Sequence, residues 1–222
     1  MKIKVIITGV TGMVGEGVLL ECLQNEKVES VLVIARKSCE IQHAKLKEII
    51  LPDFNNASSI ANELKNYDAC YFCAGVSSVG MKEEDFRKIT YDTTLNFAKA
   101  VCTANPAMTF CYVSGIGTDS TEKGRTMWAR VKGKTENDLM KLPFKQVFAF
   151  RPGFMQPTKG QKFALPMYKY IGWMYKPLSL LFSTYASTLA DVGKAMINVT
   201  LNGYSSKILE VKDINQAAKT NN

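Results

Sequence analysis

The chain has 222 residues, 46% of them hydrophobic and 22% charged, with a formal net charge of +8. That length suits one α/β domain able to bury a full core without disulfides or metals. The lysines and arginines are spread along the chain with no basic block and no nucleic-acid motif, so nucleic acid is not expected as a partner. No apolar run reaches the length of a membrane span. Met1-Lys2-Ile3-Lys4 leads straight into an apolar strand, so no secretory signal is expected and the chain reads as cytoplasmic.

Strands are predicted near 2–8, 30–35, 48–51, 68–74, 108–114 and 145–151, with a short last strand near 207–211. Helices are predicted near 13–24, 41–47, 58–65, 82–104, 127–141 and 188–201, and the polar tail 216–222 is expected to fray. Strand and helix alternate throughout. The expected fold class is therefore α/β, a doubly wound parallel sheet, as a single domain over 1–222. Ligands of such sheets bind at the carboxyl ends of the strands, where strand order reverses.

The first strand ends in a turn carrying Gly9, Thr11, Gly12, Met13, Val14 and Gly15, and a helix follows. Free N–H groups and the dipole of a helix N-terminus make an anion site there. Gly9 permits the tight turn, Gly12 lets a pyrophosphate approach the backbone, and Gly15 lets the helix sit close on the strand. A second apolar strand, Ser30–Ile34, follows at the distance expected of a βαβ unit. It ends in Ala35-Arg36-Lys37, where NAD sites place an acid, and no Asp or Glu stands there. A guanidinium at this point suits a 2′-phosphate, with Lys37 adding charge, so NADP(H) is expected over NAD(H).

The spacing G-x-x-G-x-x-G resembles the short-chain dehydrogenase/reductase superfamily, in its extended and atypical branches, which include epimerase/dehydratase-like and NmrA-like members. The resemblance runs over nearly the whole chain and implies a Rossmann fold and an oxidoreductase. It makes Asp53 the acid that meets the adenine amino group, and Ala74 and Gly75 the small residues lining the adenosine pocket. It makes Ser114 and Lys132 candidate catalytic residues, Lys132 also touching the cofactor, and it places Arg151-Pro152-Gly153 beside the nicotinamide. In the superfamily a Tyr-x-x-x-Lys pair shares one helix face; the tyrosine acts as the acid and a serine orients the carbonyl oxygen. Here the tyrosine position holds Trp128, whose indole N–H does not titrate usefully, and the family asparagine falls at Thr90.

The aromatic stretch from Phe163 to Phe182, within a segment 155–185, reads as an apolar lid, as core, or as an interaction surface. Six cysteines, Cys70-x-x-Cys73 among them, read as buried thiols rather than ligands: residues three apart on a strand face opposite ways, and His43 is the only histidine. No metal is expected. Three functions stay open. The first is an NADP(H)-dependent reductase passing hydride to a flat or conjugated acceptor such as a flavin or quinone. The second is a silent dinucleotide-sensing or partner-binding protein. The third is a carbonyl reductase or epimerase with its acid displaced to Tyr168, Tyr170 or Tyr175.

Overall fold

The computed structural model describes residues 1–163 and 186–220. Seven parallel strands form one sheet: β1 (Ile3–Thr8), β2 (Val28–Ala35), β3 (Leu46–Ile50), β4 (Ala69–Phe72), β5 (Thr109–Val113), β6 (Gln146–Arg151) and β9 (Ile208–Glu210). Their spatial order is β3-β2-β1-β4-β5-β6-β9, so the chain direction across the sheet reverses between β1 and β4. A small second sheet pairs β7 (Phe154–Gln156) with β8 (Ala186–Thr188), also in parallel.

Alternation along the strands sends side chains to two cores. Ile3, Val5 and Ile7 of β1 face one layer and Ile6 the other. The first layer is closed by α1 (Met13–Gln24), α6 (Leu189–Asn202) and α7 (Val211–Lys219). Gly17 admits the contact between α1 and α6, since a Cβ there would lie 2.6 Å from Leu189. The buried Tyr71 hydroxyl donates toward the Met196 carbonyl oxygen at 3.2 Å and meets Thr200 Oγ1 at 3.0 Å, tying β4 to α6.

The second layer holds a 3₁₀ turn (Phe54–Ile60), α2 (Ala61–Leu64), α4 (Thr93–Ala104) and residues of α5 (Met127–Leu139). Its centre is aromatic: Phe72 lies 5.4 Å from Phe97 and 6.2 Å from Phe110, which stacks on Phe144 at 5.0 Å. Each such ring contributes about 1.5–3 kcal/mol through burial.

Cys70 lies in the second layer and Cys73 packs against the first, so the Cys-x-x-Cys pair faces opposite ways. His43 is exposed.

Three elements differ from the sequence reading. The helix expected over 41–47 is absent: Leu46 already pairs with Val31, and the edge strand β3 outcompetes local helical spacing. The expected helix over 82–104 contains α3 (Glu83–Arg87), one π turn (Lys88–Asp92) and α4, with the Thr93 N–H bonded to Lys88 O. Residues 216–219, expected to fray, close α7, whose Ile214, Ala217 and Ala218 are buried in the first layer. The lid reading falls almost wholly on 164–185, outside the described residues, as do Tyr168, Tyr170 and Tyr175.

Candidate functional site

The glycine turn is built tightly against β4. Gly9 has φ 73°, and a Cβ on it would lie 2.5 Å from Ala74 N. A Cβ on Gly15 would collide with the Gly9 carbonyl oxygen. Both glycines are therefore demanded by the fold. Gly12 is different. Its φ of −121° suits any residue, and its Cβ would meet nothing closer than Gly9 O at 3.4 Å. Gly12 caps α1 without a side-chain acceptor, and the first intrahelical bond runs from Glu16 N to Gly12 O at 2.9 Å. The N–H groups of Met13, Val14 and Gly15 consequently have no acceptor within the helix.

A cleft of about 360 Å³ opens beside this turn at the strand-order reversal. The glycine turn contributes Gly9, Thr11 and Gly12, and the end of β2 contributes Ala35 and Arg36. Pro52, Asp53 and Phe54 follow β3, and Cys73, Ala74, Gly75 and Val76 follow β4. Ile89 and Thr93 close the wall from the π turn and the start of α4.

Among the described residues Arg36 has neither ion pair nor hydrogen bond, and it is exposed. Lys37 is exposed beside it but does not line the cleft. Asp53 Oδ1 accepts from Asn55 N at 2.9 Å and Asn55 Nδ2 at 2.8 Å, which fixes the carboxylate at the rim. Burial pushes the Cys73 thiol up to about 12, so this wall residue is no nucleophile at neutral pH.

Met13, Val14 and Gly15 sit in the first turn of α1, outside the cleft lining. Pro152 and Gly153 lie past β6, also outside it; the Pro152 carbonyl oxygen accepts from Ile116 N at 2.9 Å. Sequence reasoning missed Val76, Ile89 and Thr93. Apolar residues in a loop after β4 were a weak signal for the first, and the π turn that aims the other two leaves no pattern in the sequence.

Ser114 and Lys132 meet beside β5, though not as a hydroxyl facing open space. Ser114 is buried; its Oγ donates to Glu136 Oε1 at 2.5 Å and lies 3.1 Å from Phe150 O. Glu136 is itself buried and held by Arg151, with Nε to Oε1 at 3.1 Å and Nη2 to Oε2 at 2.5 Å. Arg151 also reaches Glu210 and Ser120, so it braces β6, β9 and the loop after β5. Lys132 Nζ donates to the Ser114 carbonyl oxygen at 2.5 Å. Desolvation pushes its ammonium down to about 8, against the opposing pull of Glu136.

Trp128, half-buried in the first turn of α5, stands over Gly117, where a Cβ would lie 3.6 Å from the indole. Thr90, within the π turn, is buried, and its hydroxyl has no partner. Among the described residues no three His, Cys, Asp or Glu side chains gather as a metal site, and no helix is long and apolar enough to cross a membrane.

A seven-stranded parallel sheet, with a glycine turn and a cleft at its reversal point, defines a Rossmann-type α/β protein. The chain belongs to the NAD dependent epimerase/dehydratase family, whose sequence pattern matches residues 5–126, and NAD(P) binding is the family's property. It is 26% identical over 199 residues to "Protein FMP52, mitochondrial" of Debaryomyces hansenii, covering 87% of this chain and 85% of that one. The namesake in Meyerozyma guilliermondii is 25% identical, covering 97% and 95%.

Solved structures share the fold at low identity. An ADP-L-glycero-D-manno-heptose-6-epimerase of Helicobacter pylori superposes with TM-score 0.67 at 16% identity, covering 98% of this chain and 81% of that one. A short chain dehydrogenase of Burkholderia cenocepacia, solved with NADP, gives 0.66 at 13%, covering 97% and 92%.

The relatives overturn one expectation. Those from D. hansenii, M. guilliermondii and Emericella nidulans carry mitochondrial names, against the cytoplasmic reading. That reading asked only about a secretory signal and a membrane span, and neither bears on a mitochondrial address.

Proposed function

We propose that this family member binds NADP(H) in preference to NAD(H) and passes hydride to a flat, conjugated acceptor of the flavin or quinone type. The observation that carries the cofactor reading is the pairing of an open Gly12 with an unpaired Arg36 across one cleft. The fold leaves room at Gly12 where it leaves none at Gly9 or Gly15, and a pyrophosphate needs that room. The N–H groups of Met13, Val14 and Gly15 receive its charge. Arg36, with Lys37 beside it, takes the 2′-phosphate; Asp53 Oδ2 is left to the adenine amino group; Ala74 and Gly75 leave space for the adenosine.

When bound, NADPH supplies a hydride. On the reaction side, Lys132 holds the nicotinamide ribose, and Ser114 orients Lys132 through its carbonyl oxygen. Pro152 and Gly153 pass the carboxamide. Trp128 takes the place of the usual tyrosine acid and offers a planar wall. A conjugated acceptor tolerates the missing acid because its reduced form collects a proton from water. The mitochondrial names of relatives support a mitochondrial setting for this activity.

One observation favours a second reading, a dinucleotide-binding protein without turnover. The Ser114 hydroxyl is engaged by Glu136 and Phe150 instead of a substrate. Titration of the pure protein with NADPH and NADH, followed by fluorescence, comes first, and tighter NADPH binding is expected. A screen of flavins, quinones and dyes with saturating NADPH then separates the readings. Turnover above background supports the reductase, and binding without any turnover supports the silent protein. Binding of neither dinucleotide would sink both.

A further inference from the structure

Glu16 is a carboxylate that the proposed chemistry leaves unused. It sits in the first turn of α1, directly after the glycine turn, and is only 2% exposed. Its partners come from a segment about 146 residues further on: Lys162 N donates to Oε1 at 2.7 Å, and Phe163 N to Oε2 at 2.8 Å. Gln161 fastens the same segment, its Nε2 donating to Met13 O at 2.8 Å while its Oε1 accepts from Thr158 N at 2.6 Å. Residues 158–163 are thus strapped across the N-terminus of the helix that would face the pyrophosphate. A buried carboxylate satisfied by backbone donors fixes such a strap firmly.

The strap brings one cation with it. Lys162 Nζ lies 3.9 Å from Glu40 Oε2, and both side chains are more than half exposed. Glu40 stands four residues past Arg36 on the loop after β2. Lys162 therefore spans from the first turn of α1 to the loop that carries Arg36. The glycine turn just before α1 and Arg36 both line the cleft, and Lys162 and Glu40 stand outside its lining. The contact of Lys162 with Glu40 is long and solvated, so it is weak and readily exchanged for a stronger anion.

We propose that Lys162 is a second cation of the 2′-phosphate site, delivered there by the Glu16 strap and exchanging Glu40 for the phosphate when NADP(H) binds. The proposal rests on the NADP(H) reading above. It adds a residue far from Arg36 in sequence, and it makes Glu16 a positioning residue.

Dissociation constants of NADPH and NADH for the full-length protein and its variants test this without any turnover. Lys162→Ala removes an exposed side chain and should not disturb folding. It is expected to weaken NADPH about tenfold, the worth of one charge-assisted contact, and to leave NADH within about twofold. Lys162→Arg should restore NADPH binding. Glu16→Ala should follow Lys162→Ala, because Lys162 is no longer held in place. Glu40→Gln should tighten NADPH by removing the competing carboxylate. A Lys162→Ala variant that keeps the wild-type ratio of the two constants overturns the proposal, provided that Arg36→Ala lowers that ratio. A wild type with no NADPH preference, unchanged by Arg36→Ala, overturns the cofactor reading itself and this inference with it.

Discussion

At the scale of single residues, the three glycines of the turn separate into two kinds. Gly9 and Gly15 are required by backbone packed against them, whereas Gly12 is required by nothing in the chain. The difference is measurable. Gly12→Ala should cost no more than about 1 kcal/mol of stability in urea unfolding, yet lower dinucleotide affinity at least about tenfold. Gly9→Ala should cost at least about 2 kcal/mol, through left-handed strain and overpacking against Ala74. If Gly12→Ala bound NADPH as well as wild type, the glycine turn would lose its assigned role. The glycine turn was legible in sequence because each part has a local signature. The roles of Glu16 and Lys162 were not, since only the fold sets residues 16 and 162 side by side. Arg36, Asp53, Ala74 and Gly75 follow three different strands, and the parallel sheet alone collects them into one cleft.

At the scale of elements, most of the sheet was readable from apolar runs, and the failures have physical causes. β3 is a half-exposed edge strand without a continuous apolar run, and pairing with β2 decides its state. β7 and β8 are three residues each and exist only through one another. The helix α6, in contrast, announces its start: Thr188 Oγ1 accepts from Asp191 N at 3.0 Å and Asp191 Oδ2 accepts from Thr188 N at 3.3 Å, a reciprocal capping box. Thr188→Ala should cost about 1 kcal/mol in denaturant unfolding, and a change indistinguishable from zero would show that tertiary packing alone holds that end. The π turn between α3 and α4 carries Ile89 to the cleft wall, so one extra residue in a helix becomes a feature of the site.

At the scale of the whole molecule, burial of Lys132 couples the site to global stability. Desolvation by burial pushes its folded pKa down to about 8 from the ordinary lysine value of 10.5. Between these values the unfolded chain binds more protons at this residue than the folded chain, so its contribution to stability rises with pH across that window and is flat below it. Wild type measured against Lys132→Met by urea unfolding should therefore gain relative stability from pH 7.5 to pH 9.5. A difference that does not change with pH would contradict the desolvated environment assigned to Lys132.

The two layers of the molecule also close at different moments in its making. Among the described residues the aromatic second layer draws on none past Val147, so its described part can assemble once that residue has left the ribosome. The first layer cannot. Its outer wall is Val192, Met196, Ile197 and Val199 of α6 with Ile214 and Ala217 of α7, all made well after Val147. Until then the face bearing Val5, Ile7 and Val33 has α1 over it but neither α6 nor α7. A nascent chain that still lacks these two helices is accordingly a client for chaperones and a seed for aggregation until α6 and α7 dock.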